Sequence, residues 1–343
     1  MRQYLIDRPH ARVQMYYLAL VLLFVFSAFR WEVGCDWMGY LYNWWQMSEF
    51  GTEMILFNEP LFWLIMKAVQ WLGLPYAWLN VVTSLIFFIG INALAVRQKD
   101  PLGFLIILFP ILIINMPMSG IRQGAAIGLL CFAFCAFQDK KTFRAFIWIS
   151  LASMMHFSSF LFLSMLPLIS GSNLKRRIFI VCLLLIPSVF LVIIISGLPT
   201  AFTSRLNQTE YETQGALFRV MLIFITAIFY LLIMRKKWKK TFPETSRLAT
   251  LSSFAMIMTL PLTLYSGLVG DRVSYYLIPL QAMILCNISF LPIRQYRIIY
   301  SIAPYLLLGL TFLIWTSFSW HFKACYVPYN TWILGFPPEV RAW

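Results

Sequence analysis

Charge is scarce in this chain: Asp, Glu, Lys and Arg make up 12% of its 343 residues, and only three residues are histidine. Water-soluble domains carry about 25% charged residues, so a soluble globular class is excluded. No Cys or His pair has metal-ligand spacing, and neither an internal repeat nor a low-complexity segment is present. Arg2, Arg8 and Arg12 precede an apolar core as in a secretory signal, but no small-x-small cleavage site follows Phe29-Arg-Trp-Glu, so this segment is expected to remain as a first span. Glu32-Val-Gly ahead of Cys35 argues in the same way against lipoprotein processing there.

What the chain does contain is apolar: 61% hydrophobic and 17% aromatic residues, with a mean hydropathy of +0.76. Apolar runs of about 15 to 20 residues recur along its length, and each is long enough for a helix to cross a hydrocarbon core of about 30 Å. The reading is an all-α polytopic membrane protein, one integral membrane domain over residues 1–343, with about eleven spans (ten to twelve). They are expected at Tyr16–Phe29, Ala77–Val96, Leu102–Asn115, Ile121–Phe137, Thr142–Met155, Phe157–Ile169, Ile178–Gly197, Leu217–Met234, Leu248–Ser266, Ser274–Leu291 and Ile298–Thr316.

The net charge of +14 is distributed as an orientation signal and not as a nucleic-acid footprint. With the amino terminus in the cytoplasm, cytoplasmic joints hold 19 of the 27 basic and 4 of the 13 acidic residues, leaving 8 basic and 9 acidic outside. Arg235-Lys-Lys-Trp-Lys-Lys240 reads as a cytoplasmic anchor on anionic lipid. The long segment from Arg30 to Glu59, rich in acids, falls outside. Pro60–Leu72 is short, and letting it span would move the basic joints outside, so it reads as an interfacial or re-entrant helix. The two runs flanking His156 are too short for two full crossings, which need about 40 apolar residues. They are expected to form a short helical hairpin with His156 at its tip, on the outer side.

Cys131, Cys135, Cys182 and Cys286 lie in apolar runs and read as small core residues. Cys35 and Cys325 fall in external segments, where a disulfide between them is open but not legible as a pairing.

The outer basic residues then include Arg30, Arg122, Arg205, Arg219 and Arg272. Arg122, Arg219 and Arg272 stand at starts of inward-going spans. An arginine there is costly beside lipid and opposes the helix dipole, but is well placed for an anion. The plain alternative is a side chain snorkelling to the interface. A diphosphate on a lipid carrier suits such guanidinium groups, which bond its oxygens in pairs. Gln123 follows Arg122 at the same helix start. His156 reads either as a satisfied core histidine or as a group that orients a sugar hydroxyl, acts as a base or donates to a leaving phosphate. Asp36 and Glu59 are the outer acids most readily carried into a cavity, and Asp271 adjoins Arg272 as a ready partner. Trp31, Trp37, Tyr40, Tyr42, Trp44 and Trp45 read as an interfacial belt, with stacking on sugar rings as the second reading.

Asp36 followed by Tyr40, Glu59-Pro60, Ile121-Arg-Gln123, His156-Phe-Ser-Ser159, Asp271-Arg272 followed by Tyr275-Tyr276, and Val327-Pro-Tyr329 together resemble, in order and spacing, the EpsG family of Wzy-type polysaccharide polymerases. The resemblance covers nearly the whole chain. It implies an inner-membrane glycosyltransferase that works at the periplasmic face without nucleotide sugar, obligatory metal or other cofactor. Such enzymes join lipid-diphosphate-linked repeat units into O-antigen, capsule or exopolysaccharide.

The resulting reading is a polymerase that moves a growing glycan from undecaprenyl diphosphate onto a hydroxyl of an incoming lipid-linked repeat. Arg122, Arg205, Arg219 and Arg272 would neutralise diphosphates, Asp36 or His156 would take the hydroxyl proton, and Gln123, Glu59, Asp271 and Tyr276 would bind substrate. Expected partners are the undecaprenyl-diphosphate-linked oligosaccharide, the bilayer and, as a protein partner, a chain-length regulator. Two rivals stand beside it: another lipid-linked glycan transferase, such as an O-antigen ligase, and a flippase, which should show repeat symmetry and polar residues spread through its spans. Single-cysteine labelling in a cysteine-free background tests the orientation. Positions near Gly120 and Gly270 should react from outside and Lys237 should not; labelling of Lys237 from the periplasm would overturn it.

Overall fold

The computed structural model describes residues 9–50, 59–169, 180, 215–293 and 297–336. Its helices are α1 Pro9–Ala28, α2 Trp37–Phe50, α3 Pro60–Trp71, α4 Ala77–Ala95, α5 Pro101–Leu108, α6 Ile121–Gln138, α7 Thr142–Met155, α8 Ala216–Phe229, α9 Arg235–Thr241, α10 Pro243–Tyr265, α11 Gly267–Asn287, α12 Arg297–Phe318 and α13 Trp320–Tyr326. Two-residue strands, β1 Arg30–Trp31 and β2 Asn330–Thr331, form an antiparallel pair. Among the described residues seven helices are long and apolar enough to cross a membrane, and the chain is an all-α polytopic membrane protein. The expected span Ile178–Gly197, together with Cys182 and Arg205, lies outside the described residues.

Local chemistry accounts for the boundaries. Asp100 caps α5 by accepting from the Gly103 N–H at 2.7 Å, and Pro101 takes a first-turn position where no N–H is needed. Pro110, lacking an N–H, breaks the regular ladder, and α5 continues as the π-helix Phe109–Ile113. α3 has 12 residues, about 18 Å of helix, well short of a hydrocarbon core. α7 has 14 residues and stops before His156, beyond which Phe157–Leu168 winds as a 3-10 helix. Three helices start ahead of the expected span: α1 at Pro9 and not at Tyr16, α10 at Pro243 and not at Leu248, and α11 at Gly267 and not at Ser274, so Asp271 and Arg272 lie inside a helix. Close packing explains the earlier start of α11, since a Cβ on Gly270 would stand 2.1 Å from Thr263 Oγ1 of α10.

The chain falls into two compact units, one of Met1–Leu129, Met154–His156 and Ile302–Trp343, the other of Leu130–Ser153 and Phe157–Ser301. In the first unit α4 and α6 approach backbone to backbone. A Cβ on Gly90 would lie 1.9 Å from the Gly128 carbonyl oxygen, and one on Gly128 2.6 Å from the Ile86 carbonyl oxygen. Lipid is as apolar as leucine, so helices in a membrane associate through such close contact between small residues. Arg12 of α1 pairs with Asp100 at the start of α5. At the other end of α1, β1 pairs with β2, the Trp332 N–H donates to Phe29 O at 3.0 Å and Tyr329 Oη donates to Phe26 O at 2.6 Å. A Cys35–Cys325 disulfide, with Cα atoms 4.8 Å apart, joins the same two segments. Arg30, counted among the outer arginines, is a buried structural residue. Its guanidinium donates to Ser27 O, Val33 O and Asn80 Oδ1 at 2.7–2.9 Å, and burial lowers its pKa to about 10.

In the second unit α8, α10 and α11 pack together. Buried Gln281 of α11 donates to Thr226 Oγ1 of α8 at 3.0 Å. α12, which from Ile302 on belongs to the first unit, exposes Leu306, Leu313 and Phe318, an apolar surface suited to lipid.

The α4–α6 contact yields a direct test. Gly128→Leu should destabilise the detergent-solubilised protein by about 1–3 kcal/mol, read as a fall in melting temperature and folded yield. Gly309→Ala, where nothing lies within 4 Å of an added Cβ, should leave both unchanged.

Candidate functional site

Glu59 sits at the start of α3 with φ 56° and ψ 58°, a left-handed backbone that a non-glycine residue adopts only at a cost of about 1–3 kcal/mol. Pro60 follows as the first helical residue, and the Glu59 side chain caps no backbone N–H of α3. It turns instead to two other elements. Oε2 accepts from Arg122 Nη1 at 2.6 Å, and Oε1 is bonded to His156 Nδ1. The carboxylate is 5% exposed, against 30% for Arg122 and 17% for His156. Thus a buried anion is met by one cation and one imidazole, the compensation that a buried carboxylate requires.

Arg122 is the second residue of α6. Its guanidinium carbon lies 5.4 Å from the Tyr40 ring centre and 5.6 Å from that of Phe62, and Nε donates to Tyr40 Oη at 3.5 Å. Aromatic faces on a guanidinium add cation–π attraction and leave its edge for hydrogen bonds. Burial pushes the Tyr40 phenol above its ordinary value, so it stays neutral. The anion that Arg122 was expected to receive from outside is provided by the chain itself as Glu59. Two N–H groups of Arg122, those on Nη2, have no partner among the described residues.

His156 occupies the break between α7 and the 3-10 helix. An ionised carboxylate can only accept, so the His156 ring donates to it through Nδ1. A carboxylate that fixes an imidazole in this way is the arrangement that makes histidine an oriented base. Asp36, one helical turn before Tyr40, meets the start of α6 through Ser119. Ser119 Oγ donates to Asp36 Oδ2 at 3.2 Å and accepts from the Asp36 N–H at 3.3 Å. Gln123 is buried beside Arg122. Asp36, Tyr40, Glu59, Arg122, Gln123 and His156 therefore all belong to the first unit.

Arg219, Asp271, Arg272 and Tyr276 belong to the second unit. Asp271, which sequence adjacency pairs with Arg272, takes a two-pronged bond from Arg219, with Nε to Oδ1 at 2.9 Å and Nη2 to Oδ2 at 2.7 Å. Neighbours in a helix point away from each other, so adjacency was a poor guide. The Arg219 guanidinium stands 5.6 Å from the Tyr275 ring centre, and its charge is balanced within the unit. Arg272 is exposed, and buried Tyr276 shares a hydrogen bond with Ser158 Oγ at 2.8 Å. Arg205 lies outside the described residues.

Phe62, a wall of the Arg122 pocket, was missed in the sequence because an aromatic in an apolar helix carries no distinguishing signal; its position three residues after Glu59 was the one available hint. Folding also gathers ligand-type atoms that spacing could not reveal. The sulfurs of Cys35 and Cys325 and a His321 ring nitrogen lie within 4.8 Å of one another, but the sulfurs are joined in a disulfide and offer no thiolate to a metal.

No curated protein and no solved structure matches the chain. The model of the EpsG family matches residues 13–331. That stretch contains the shared Glu59 carboxylate, the Asp36–Tyr40 turn and the Arg219–Asp271 pair, and the chain belongs to the EpsG family.

Proposed function

We propose that this protein polymerises polysaccharide by joining undecaprenyl-diphosphate-linked repeat units at the periplasmic face of the bacterial inner membrane. Members of the EpsG family are Wzy-like polymerases, and the observation that carries the reading to particular residues is the buried Glu59 carboxylate held between Arg122 and His156.

In the proposed step an acceptor hydroxyl of the incoming repeat attacks the anomeric carbon of the growing glycan. The new glycosidic C–O bond forms as the bond from that carbon to the diphosphate oxygen breaks. His156 Nε2 takes the hydroxyl proton, and Glu59 stabilises the resulting imidazolium. Arg122 directs its Nη2 N–H groups at the leaving diphosphate, whose charge grows as the bond breaks. Asp36 and Gln123, at the same helix start, position the acceptor. Because the Glu59–Arg122 pair is already assembled, Arg122 is held in place before substrate arrives. The orientation is supported by the excess of basic residues on the opposite joints and by the Cys35–Cys325 disulfide, a bond that persists in an oxidising compartment.

Polymerisation from purified lipid-linked repeat units, normalised to folded protein, tests this. Arg122→Ala should abolish polymer, and Arg122→Lys should also cut activity severely, since a point charge cannot replace the planar fork. His156→Ala and Glu59→Gln should each lower the rate by about 100-fold or more. Full activity of Arg122→Ala would remove the site from the mechanism. In cells, deletion of the gene should leave a single repeat where a ladder stood; loss of transfer to acceptor with chain length intact would identify a ligase instead.

A further inference from the structure

A cleft of about 340 Å³ in the first unit is lined by Trp31, Glu32, Trp37, Trp44, Trp45 and Phe336, among others. Its volume is at the lower end of the range for small-molecule sites, about 300–1,000 Å³. Trp31 packs edge-to-face against Trp37 at 65° and against Phe336 at 63°, with ring centres 5.7 and 5.5 Å apart. Among the described residues Glu32, 6% exposed, is the one charged side chain lining it. Its backbone has φ 51°, the same costly left-handed conformation as Glu59.

Two buried polar atoms of its lining residues, Glu32 Oε2 and Trp31 Nε1, have no hydrogen-bond partner among the described residues, although a buried polar group left unpaired costs about 1–3 kcal/mol and more when charged. The nearest candidate cation in sequence is Arg30, whose guanidinium is committed to Ser27, Val33 and Asn80 and lies 5.7 Å from the Trp37 ring centre.

We propose that this cleft is a glycan subsite that seats an uncharged, hydroxyl-rich pyranose of the lipid-linked substrate. The inference rests on the polymerase reading and names the part of the substrate that the Glu59 site does not explain. A pyranose presents flat C–H faces to indoles and hydroxyls at its edge, and a hydroxyl both donates to a carboxylate and accepts from an indole N–H. A quaternary ammonium headgroup would suit aromatic walls and a carboxylate but offers nothing to the Trp31 N–H. An acidic sugar would meet Glu32 with like charge. The cleft is also tied to the transfer site. Trp37, Leu41, Trp44 and Trp45 line it from α2, the helix whose Tyr40 packs on Arg122. From Tyr40 to Trp44 the axial rise is only about 6 Å.

Calorimetric titration of the full-length protein with the host's repeat oligosaccharide, released from its lipid by mild acid, tests the cleft without any transfer reaction. Wild type should bind saturably, and Trp45→Ala, at a half-exposed position suited to substitution without loss of fold, should weaken binding about tenfold or more. Glu32→Asn, which tolerates the left-handed backbone but loses the charge, should do the same. Gly309→Ala, where an added Cβ meets nothing within 4 Å, should bind as wild type does. Absence of saturable binding, wild-type affinity in both cleft variants, loss of binding in Gly309→Ala, or displacement of the sugar by choline chloride would each overturn the proposal. Binding that follows this pattern in a protein that makes no polymer would leave the cleft standing and refute the polymerase reading.

Discussion

The described part of the first unit depends on one compensation: a carboxylate buried beside a membrane has to be matched by charge and hydrogen bonds, and Glu59 finds both in Arg122 and His156. Three separate stretches of chain must come together for this. α3 delivers the carboxylate at its first turn, α6 delivers the guanidinium at its own, and the break after α7 delivers the imidazole. Removing any one member strands another, because an uncompensated charge in a low-dielectric site costs several kcal/mol. The same arrangement fixes the imidazole on the carboxylate and holds the guanidinium between two aromatic rings.

Around that compensation the packing obeys membrane and not aqueous rules. α4 and α6 meet at Gly90 and Gly128, where any side chain would strike backbone, so the helix that carries Arg122 is seated by contact of small residues. At the carboxyl end of α1 polar and covalent ties replace apolar burial: the β1–β2 pair, the Tyr329–Phe26 and Trp332–Phe29 hydrogen bonds and the Cys35–Cys325 link. These hold Trp31 and Phe336 in mutual contact. Glu32 and Glu59 both have left-handed backbones.

Arginines that look equivalent in the sequence have three different fates. Arg30 is wholly consumed in holding backbone carbonyls and Asn80, Arg219 is neutralised by Asp271, and Arg122 shares one carboxylate with a histidine and, among the described residues, keeps N–H groups unengaged. Burial cost alone nominated all three, and only their partners tell them apart.

By itself the sequence determined the class and the scaffold. Apolar runs of spanning length, bounded by prolines and short polar joints, encode helices whose ends fall close to expectation, because hydrophobic length and local breakers are properties of contiguous residues. It also determined which polar residues were candidates, since a membrane makes each one conspicuous. The tertiary structure alone decided who meets whom. Glu59 reaches Arg122 and His156 across sequence separations of 63 and 97 residues, and Cys35 reaches Cys325 across 290. Asp271 passes over its neighbour Arg272 to take Arg219 in a two-pronged bond. Pairing of charges depends on distance and shielding in space, and spacing along a chain carries neither.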